Sequence, residues 1–207
     1  MFITFEGPEG AGKTTAIAGI AERLRNRGES VLVTREPGSG EFGTKVREIL
    51  LHGGSMPPEA ELFLFLADRA SHVRQTILPA LDRREIVLCD RYADSTFVYQ
   101  SVVRGLDPEF VNTANDVATG RLAPTATFLL DIDPEIGLSR IRSKDRLDLE
   151  PLEFHERVRY AFLKLAAAEP ERWRVIDGTL PADQIVERFF DWMDNERAGQ
   201  GAFEFSS

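Results

Sequence analysis

The chain has 207 residues, 43% hydrophobic and 29% charged, which suits one α/β domain with a continuous core and excludes disordered or fibrous classes. A formal charge of −9 excludes a general nucleic-acid binder, so an anionic ligand must be met by locally clustered cations. No apolar run nears the roughly eighteen residues of a membrane span, Met1–Phe5 lacks the basic region of a signal peptide, and the single Cys89 can form no intrachain disulfide, so a cytoplasmic setting is expected.

In chain order, Phe2–Phe5 reads as a strand and Gly7–Thr14 as a phosphate-binding turn. A helix follows, with Ile17, Ile20, Ala21 and Leu24 at helical spacing and Gly28 as its stop. Val31–Val33 is the second strand. Glu59–His72 is a strong helix opened by Pro57-Pro58, and Ile86–Cys89 is the third strand. Helices are predicted at Asp94–Val103, Pro108–Thr119, Glu135–Arg142, Leu152–Ala168 and Ala182–Asp194, with strands at Thr127–Ile132 and Trp173–Ile176. This alternation implies a three-layer α/β fold, a five-stranded parallel sheet with helices on both faces. Residues 1–196 are expected to form one domain, and 197–207 a flexible tail. Ligands of such sheets bind beyond the carboxyl ends of the strands. The segments to inspect are therefore Glu6–Thr15, Thr34–Gly40, Asp90–Tyr92, Asp131–Asp133 and Asp177–Thr179.

Gly7-Pro8-Glu9-Gly10-Ala11-Gly12-Lys13-Thr14 matches G-x-x-x-x-G-K-[ST] between a predicted strand and a predicted helix. That is the P-loop of nucleoside triphosphate hydrolase-type folds. Its glycines let backbone N–H groups turn inward around phosphate, and the helix N-terminus reinforces the nest. Lys13 is expected at the β- and γ-phosphates of ATP, Thr14 on Mg²⁺, and Thr15 beside them. No Asn-Lys-x-Asp guanine reader is present, and the chain is short for a mechanical ATPase. A small kinase of nucleotides or related metabolites fits best.

Two further segments narrow this. Thr34-Arg35-Glu36-Pro37-Gly38 follows the second strand, and Asp90-Arg91-Tyr92-Ala93-Asp94-Ser95-Thr96-Phe97-Val98-Tyr99-Gln100 follows the third. With the P-loop and Asp145-Arg146-Leu147-Asp148, they resemble, in order, the signature segments of bacterial thymidylate kinase. The resemblance runs from about residue 2 to residue 195. It implies a homodimeric, Mg²⁺-dependent enzyme converting dTMP and ATP to dTDP and ADP.

The resemblance also implies roles. Phe65 would stack on the pyrimidine, although alone, among Leu62, Phe63, Leu64 and Leu66, it reads as core. Arg69, four residues on and on the same helix face, would donate to the C4 carbonyl. Asp90 would hold a water on Mg²⁺, and Arg91 would span the donor and acceptor phosphates. Ser95, Thr96, Tyr99 and Gln100 would meet the thymine edge and sugar, with Tyr99 where a ribose 2′-hydroxyl would sit. Arg35 would lie near the acceptor phosphate, with Arg47 either assisting or facing solvent. Glu9 would lie near the deoxyribose 3′-hydroxyl.

An acid at Glu9 and a glycine at Gly10 leave the loop without a catalytic arginine. Ser139–Arg146 resembles the lid of the bacterial subclass, which carries that cation instead. Arg140 would stack on adenine, and Arg146 and Arg142 are the candidates to close on the γ-phosphate. His52, His72 and His155 show no metal-ligand spacing and read as surface or packing residues. A kinase for another nucleotide or deoxynucleoside, and a nucleotide-gated binding protein, stay open as alternatives.

Overall fold

The structure is a computed structural model that describes residues 1–203, with side chains described through residue 198. Five strands, β1 (Phe2–Glu6), β2 (Val31–Arg35), β3 (Ile86–Asp90), β4 (Ala126–Asp131) and β5 (Trp173–Asp177), form one all-parallel sheet in the order β2-β3-β1-β4-β5. The expected three-layer α/β architecture is therefore present. Four of the five strands run one or two residues further toward their carboxyl ends than their apolar runs, because Glu6, Arg35, Asp90 and Asp177 continue the ladder into the site.

Strand alternation sorts β1 between two cores. Ile3 and Phe5 face helices α1 (Lys13–Asn26) and α9 (Ala182–Phe203), joining Ile17, Ile20, Phe128 and Phe189. Phe2 faces the other way, against Val73, Ile77 and Ala80. The same alternation turns the last residue, Glu6, to that second face, where it is fully buried.

Helices α2 (Gly40–His52) and α3 (Pro58–His72) flank the loop after β2, and α3 runs through a π-helical turn, Val73–Ile77, into a short α4 (Leu78–Asp82). The helix expected over Asp94–Val103 divides into α5 (Ala93–Thr96) and a π-helical turn, Phe97–Val103. The wider turn shifts the inward face by a fraction of a residue per turn. Val98, Tyr99, Gln100 and Ser101 are all buried in succession. α6 (Pro108–Thr119) and α8 (Leu152–Ala168) match their predicted bounds. α7 (Pro134–Ser139) stops three residues before Arg142 and leaves the lid segment as turns.

α9 continues through Arg197 to Phe203, with Arg197 paired to Glu29. Residues 204–207, and the side chains from 199 onward, lie outside the described residues. No helix among the described residues is long and apolar enough to cross a membrane.

Candidate active site

β1 lies between β3 and β4; the connection after β1 runs to β2 at one edge and that after β3 crosses to β4 on the other side, so a crevice opens at the carboxyl ends of β1 and β3. A cleft of about 770 Å³ occupies it, lined by most of the side chains singled out in the sequence. Its two ends are built differently.

At the donor end the loop is shaped by backbone. Gly7, Gly10 and Gly12 hold φ of 140°, 70° and 88°, which only glycine adopts at little cost. Gly10 also packs so closely on α7 that an added Cβ would stand 1.9 Å from the Gly137 carbonyl oxygen. No side chain fits there, so this loop cannot carry an arginine at that position. Pro8 and Gly7 are buried beneath, and Ala11 packs into the main core. The Lys13 ammonium donates to the carbonyls of Gly7 and Pro8, both at 3.0 Å, and so lies over the loop. Burial, with Arg91 adding to it, lowers the pKa of Lys13 to about 8. Arg140 donates to the carbonyl of Gly178 at 3.0 Å and to that of Gly10 at 3.4 Å, bridging the loop to the segment after β5. Beside it Leu180, Pro181 and Ile185 give an apolar wall that the sequence reading left out.

Two oxygen-bearing side chains that could hold a cation meet beyond the carboxyl ends of β1 and β3. The Thr14 hydroxyl donates to Asp90 Oδ2 at 2.9 Å, and both residues line the cleft with Thr15. One hydroxyl and one carboxylate suit Mg²⁺, which keeps several waters and shares phosphate oxygens rather than needing a protein cage. No group of three or more His, Cys, Asp or Glu among the described residues offers such a cage.

Arg91 stands where the two ends meet. Its own backbone is left-handed, φ 68°, and this corner turns the side chain into the cleft. Its guanidinium pairs with Glu9 and donates to Ser95 Oγ at 3.2 Å. Burial works against its charge, but Glu9, with Tyr99, Asp90 and Glu6 adding to it, outweighs that and raises its pKa. Glu9 also accepts from the Tyr99 hydroxyl at 2.6 Å. Burial alone would raise the pKa of Glu9; Arg91 and Lys13 outweigh it and hold the carboxylate below its ordinary value. Behind them Glu6 accepts from the Tyr92 N–H at 2.8 Å and from Ser95 Oγ at 2.5 Å, clamping the corner that carries Arg91. Burial, then the nearby Asp94, pushes Glu6 up to about 7.

The acceptor end is built from side chains. Arg35 and Arg47 both line it, and Arg47 donates to the Pro37 carbonyl at 2.9 Å. Burial, and then repulsion from Arg35, lowers the pKa of Arg47, a strain that a phosphate dianion between them would relieve. Phe65 and Arg69 face the same chamber, as their four-residue spacing predicts. Arg69, however, is 1% exposed and already engaged. Its Nε donates to Glu36 at 2.8 Å, Nη1 to Thr96 at 2.8 Å and Asn115 at 2.7 Å, and Nη2 to the Tyr92 carbonyl at 3.0 Å. Nη2 also lies 2.8 Å from Glu36 Oε2. A base carbonyl would have to share one of these donors.

Sequence reasoning missed what holds Arg69. Glu36 sits between Arg69 and the buried His72, whose Nδ1 lies 2.8 Å from Glu36 Oε1 and whose Nε2 lies 2.7 Å from Thr34 Oγ1. His72 and His155 are thus buried and His52 exposed, in line with packing and surface roles. A charged residue beside Pro37 was the available signal, but its partner lies 33 residues away on α3.

The lid arginines Arg142 and Arg146 stand apart from the phosphate loop in this structure. Arg146, expected at the γ-phosphate, does not line the cleft; it pairs with buried Glu61 and donates to the Leu50 carbonyl at 2.9 Å. A carboxylate 1% exposed on α3 needs a cation, and Arg146 supplies one. Arg142 is exposed.

Comparison with known proteins agrees with this geometry. A family profile described as Thymidylate kinase matches residues 5–189. The chain belongs to the thymidylate kinase family. It is 52% identical over 190 residues to the thymidylate kinase of Thermomicrobium roseum, covering 90% of each chain. It is 49% identical over 189 residues to that of Deinococcus radiodurans, covering 89% of this chain and 92% of the relative. The crystal structure of thymidylate kinase from Ehrlichia chaffeensis superposes with a TM-score of 0.78 at 32% identity, covering 93% of this chain and 98% of that one.

Proposed function

We infer that the chain is an ATP-dependent dTMP kinase, transferring the γ-phosphoryl group of ATP to the 5′-phosphate of dTMP to give dTDP and ADP. The observation that carries this is the single cleft in which the P-loop, Arg91 and the Phe65–Gln100 chamber converge. Phosphoryl transfer needs positioning and charge stabilisation more than covalent chemistry from the protein.

In this reading Lys13 moves from the loop carbonyls to the β- and γ-oxygens, and Arg91 meets the oxygens shared by donor and acceptor. Thr14 and Asp90 hold Mg²⁺, which when bound neutralises phosphate charge. Arg35 and Arg47 receive the acceptor phosphate. Phe65 stacks on the base, and Thr96, Ser95 and Gln100 border it. Tyr99, tied to Glu9, blocks a 2′-hydroxyl and leaves Glu9 beside the sugar. Arg140 covers the adenine, and Arg142 is the lid cation left to approach the γ-phosphate. A general base is dispensable, because the acceptor oxygen is already anionic.

The assembly is a homodimer in this reading, supported by an apolar face on α3 and α6. Phe63 and Phe110 stack edge-on there with 55% and 47% of their surface exposed. The setting is cytoplasmic, which the lone buried Cys89 supports.

A coupled assay of ADP release tests the activity. The expected ranking is dTMP > dUMP > dCMP, with AMP inert. The methyl of dTMP is worth roughly 10- to 200-fold at most. ATP binding without dTMP-stimulated ADP release would favour the nucleotide-gated binding protein instead.

A further inference from the structure

Glu61 makes no part of the cleft wall, yet it is 1% exposed and three side chains converge on it. Gln100 Nε2 donates to its Oε1 at 2.8 Å, Arg104 Nε approaches the same oxygen at 3.4 Å, and Arg146 Nη2 donates to its Oε2. Arg104 also grips Glu150 at 2.6 Å. Arg146 is fixed further by its backbone N–H on the Leu51 carbonyl at 3.3 Å. Asp145 closes the turn around it by accepting from the N–H groups of Leu147 and Asp148 at 2.8 and 3.1 Å. Leu147 is buried against Val46, Leu50 and Leu51, with Phe65 packed on the same cluster. One buried carboxylate therefore anchors the carboxyl-terminal root of the lid and at the same time holds the amide of a residue lining the acceptor chamber.

A carboxylate flanked by two guanidiniums accepts hydrogen bonds and donates none. The amide end that meets Glu61 must therefore be the NH₂ group, which leaves the Gln100 carbonyl oxygen for the chamber. A carbonyl there complements a base that presents an N–H at ring position 3, as thymine and uracil do. Cytosine presents a bare ring nitrogen at that position, and two acceptors would face each other.

We propose that Glu61, held by Arg146, is a positioning residue that sets the orientation of the Gln100 amide and thereby selects bases with an N3 proton. This rests on assigning the Phe65–Gln100 chamber to the acceptor. Arg146 is then the latch joining lid root to acceptor chamber, and its removal is felt in acceptor affinity and choice more than in the transfer step.

The test measures kcat and KM for dTMP and dCMP with wild type, Glu61→Gln and Arg146→Met. A glutamine at 61 can offer its own NH₂ group and let the Gln100 amide turn over. The dTMP:dCMP ratio of kcat/KM should narrow by about tenfold, the size of a typical coupling between sites. Arg146→Met, at a side chain 17% exposed and with Arg104 left on Glu61, should raise the KM for dTMP and narrow the ratio less. Its kcat should stay within about threefold of wild type, since coupling of this kind acts on binding. An unchanged ratio in both variants overturns the inference, as does a collapse of kcat in Arg146→Met at constant KM, which would return Arg146 to the phosphates. A wild type with no preference for dTMP over dCMP overturns the chamber assignment itself. If Glu61→Gln does not fold, Arg146→Met alone decides by the split between KM and kcat.

Discussion

The two ends of the cleft are made of different material. The donor end is nearly all backbone, drawn from eight consecutive residues, Gly7–Thr14, whose glycines adopt conformations closed to other residues. The acceptor end is a lattice of ionisable side chains, Glu36, Arg69, His72, Glu61 and Arg146, gathered from the loop after β2, α3 and the lid. Phosphate looks alike on every nucleotide, and a backbone nest suits it; a base must be told from other bases, and fixed side chains can do that. The donor end should therefore govern rate, and the acceptor end choice and stability.

Breaking the donor end should give the largest effect. Lys13→Ala should lower kcat by on the order of 10³ or more, as expected for a cation lost from a transferring phosphoryl group. Its melting temperature should stay near wild type. Turnover within tenfold of wild type would contradict the P-loop assignment.

At the acceptor end the corresponding break should appear in stability. Arg69→Met leaves Glu36 buried beside His72 alone, and removing one partner of such a pair costs about 3–5 kcal/mol. Urea denaturation should show a loss of that size together with weakened dTMP binding. A variant as stable as wild type would mean that the Glu36–Arg69 pair is not what holds the chamber.

These two predictions track how the site could be read from sequence. The P-loop was legible because its function depends on residue types at fixed spacing in one short segment. Phe65 and Arg69 were placed on one face by helical period, and Asp90 and Arg91 by their position after a strand. The five-stranded parallel sheet followed from the alternation of apolar runs and helical patterns, whereas the strand order came from the structure. What escaped were pairings across long separations. Arg69 with Glu36, and Arg146 with Glu61, join residues 33 and 85 positions apart, and no local period records them. The π-helical turn at Phe97–Val103 was also hidden, because an i→i+5 bond leaves no compositional mark.

A smaller effect should come from pH. Burial disfavours the charged form of Lys13, so the free enzyme loses that proton near pH 8 rather than 10.5. ATP phosphates need the ammonium, so kcat/KM for ATP should be full below about pH 7 and fall as pH rises through about 8. The slope should approach about tenfold per unit. A profile flat to pH 10 would place the Lys13 ammonium in a less buried setting than the structure shows.

The smallest effect should come from Tyr99→Phe, which removes the hydroxyl donated to Glu9 but keeps the ring beside the sugar. The loss should be about 1 kcal/mol, roughly fivefold in kcat/KM for dTMP. Preference for deoxyribose should survive, and its disappearance would assign that preference to the hydroxyl rather than to the ring.

The central claim is that one cleft joins ATP to dTMP and passes a phosphoryl group directly between them. Phosphorus NMR of wild-type enzyme with Mg²⁺, ATP and dTMP measures this without a coupling system. The γ-phosphorus signal of ATP should be replaced by the β-phosphorus signal of dTDP, one for one, with ADP. Inorganic phosphate accumulating in its place, with dTMP unchanged, would contradict it.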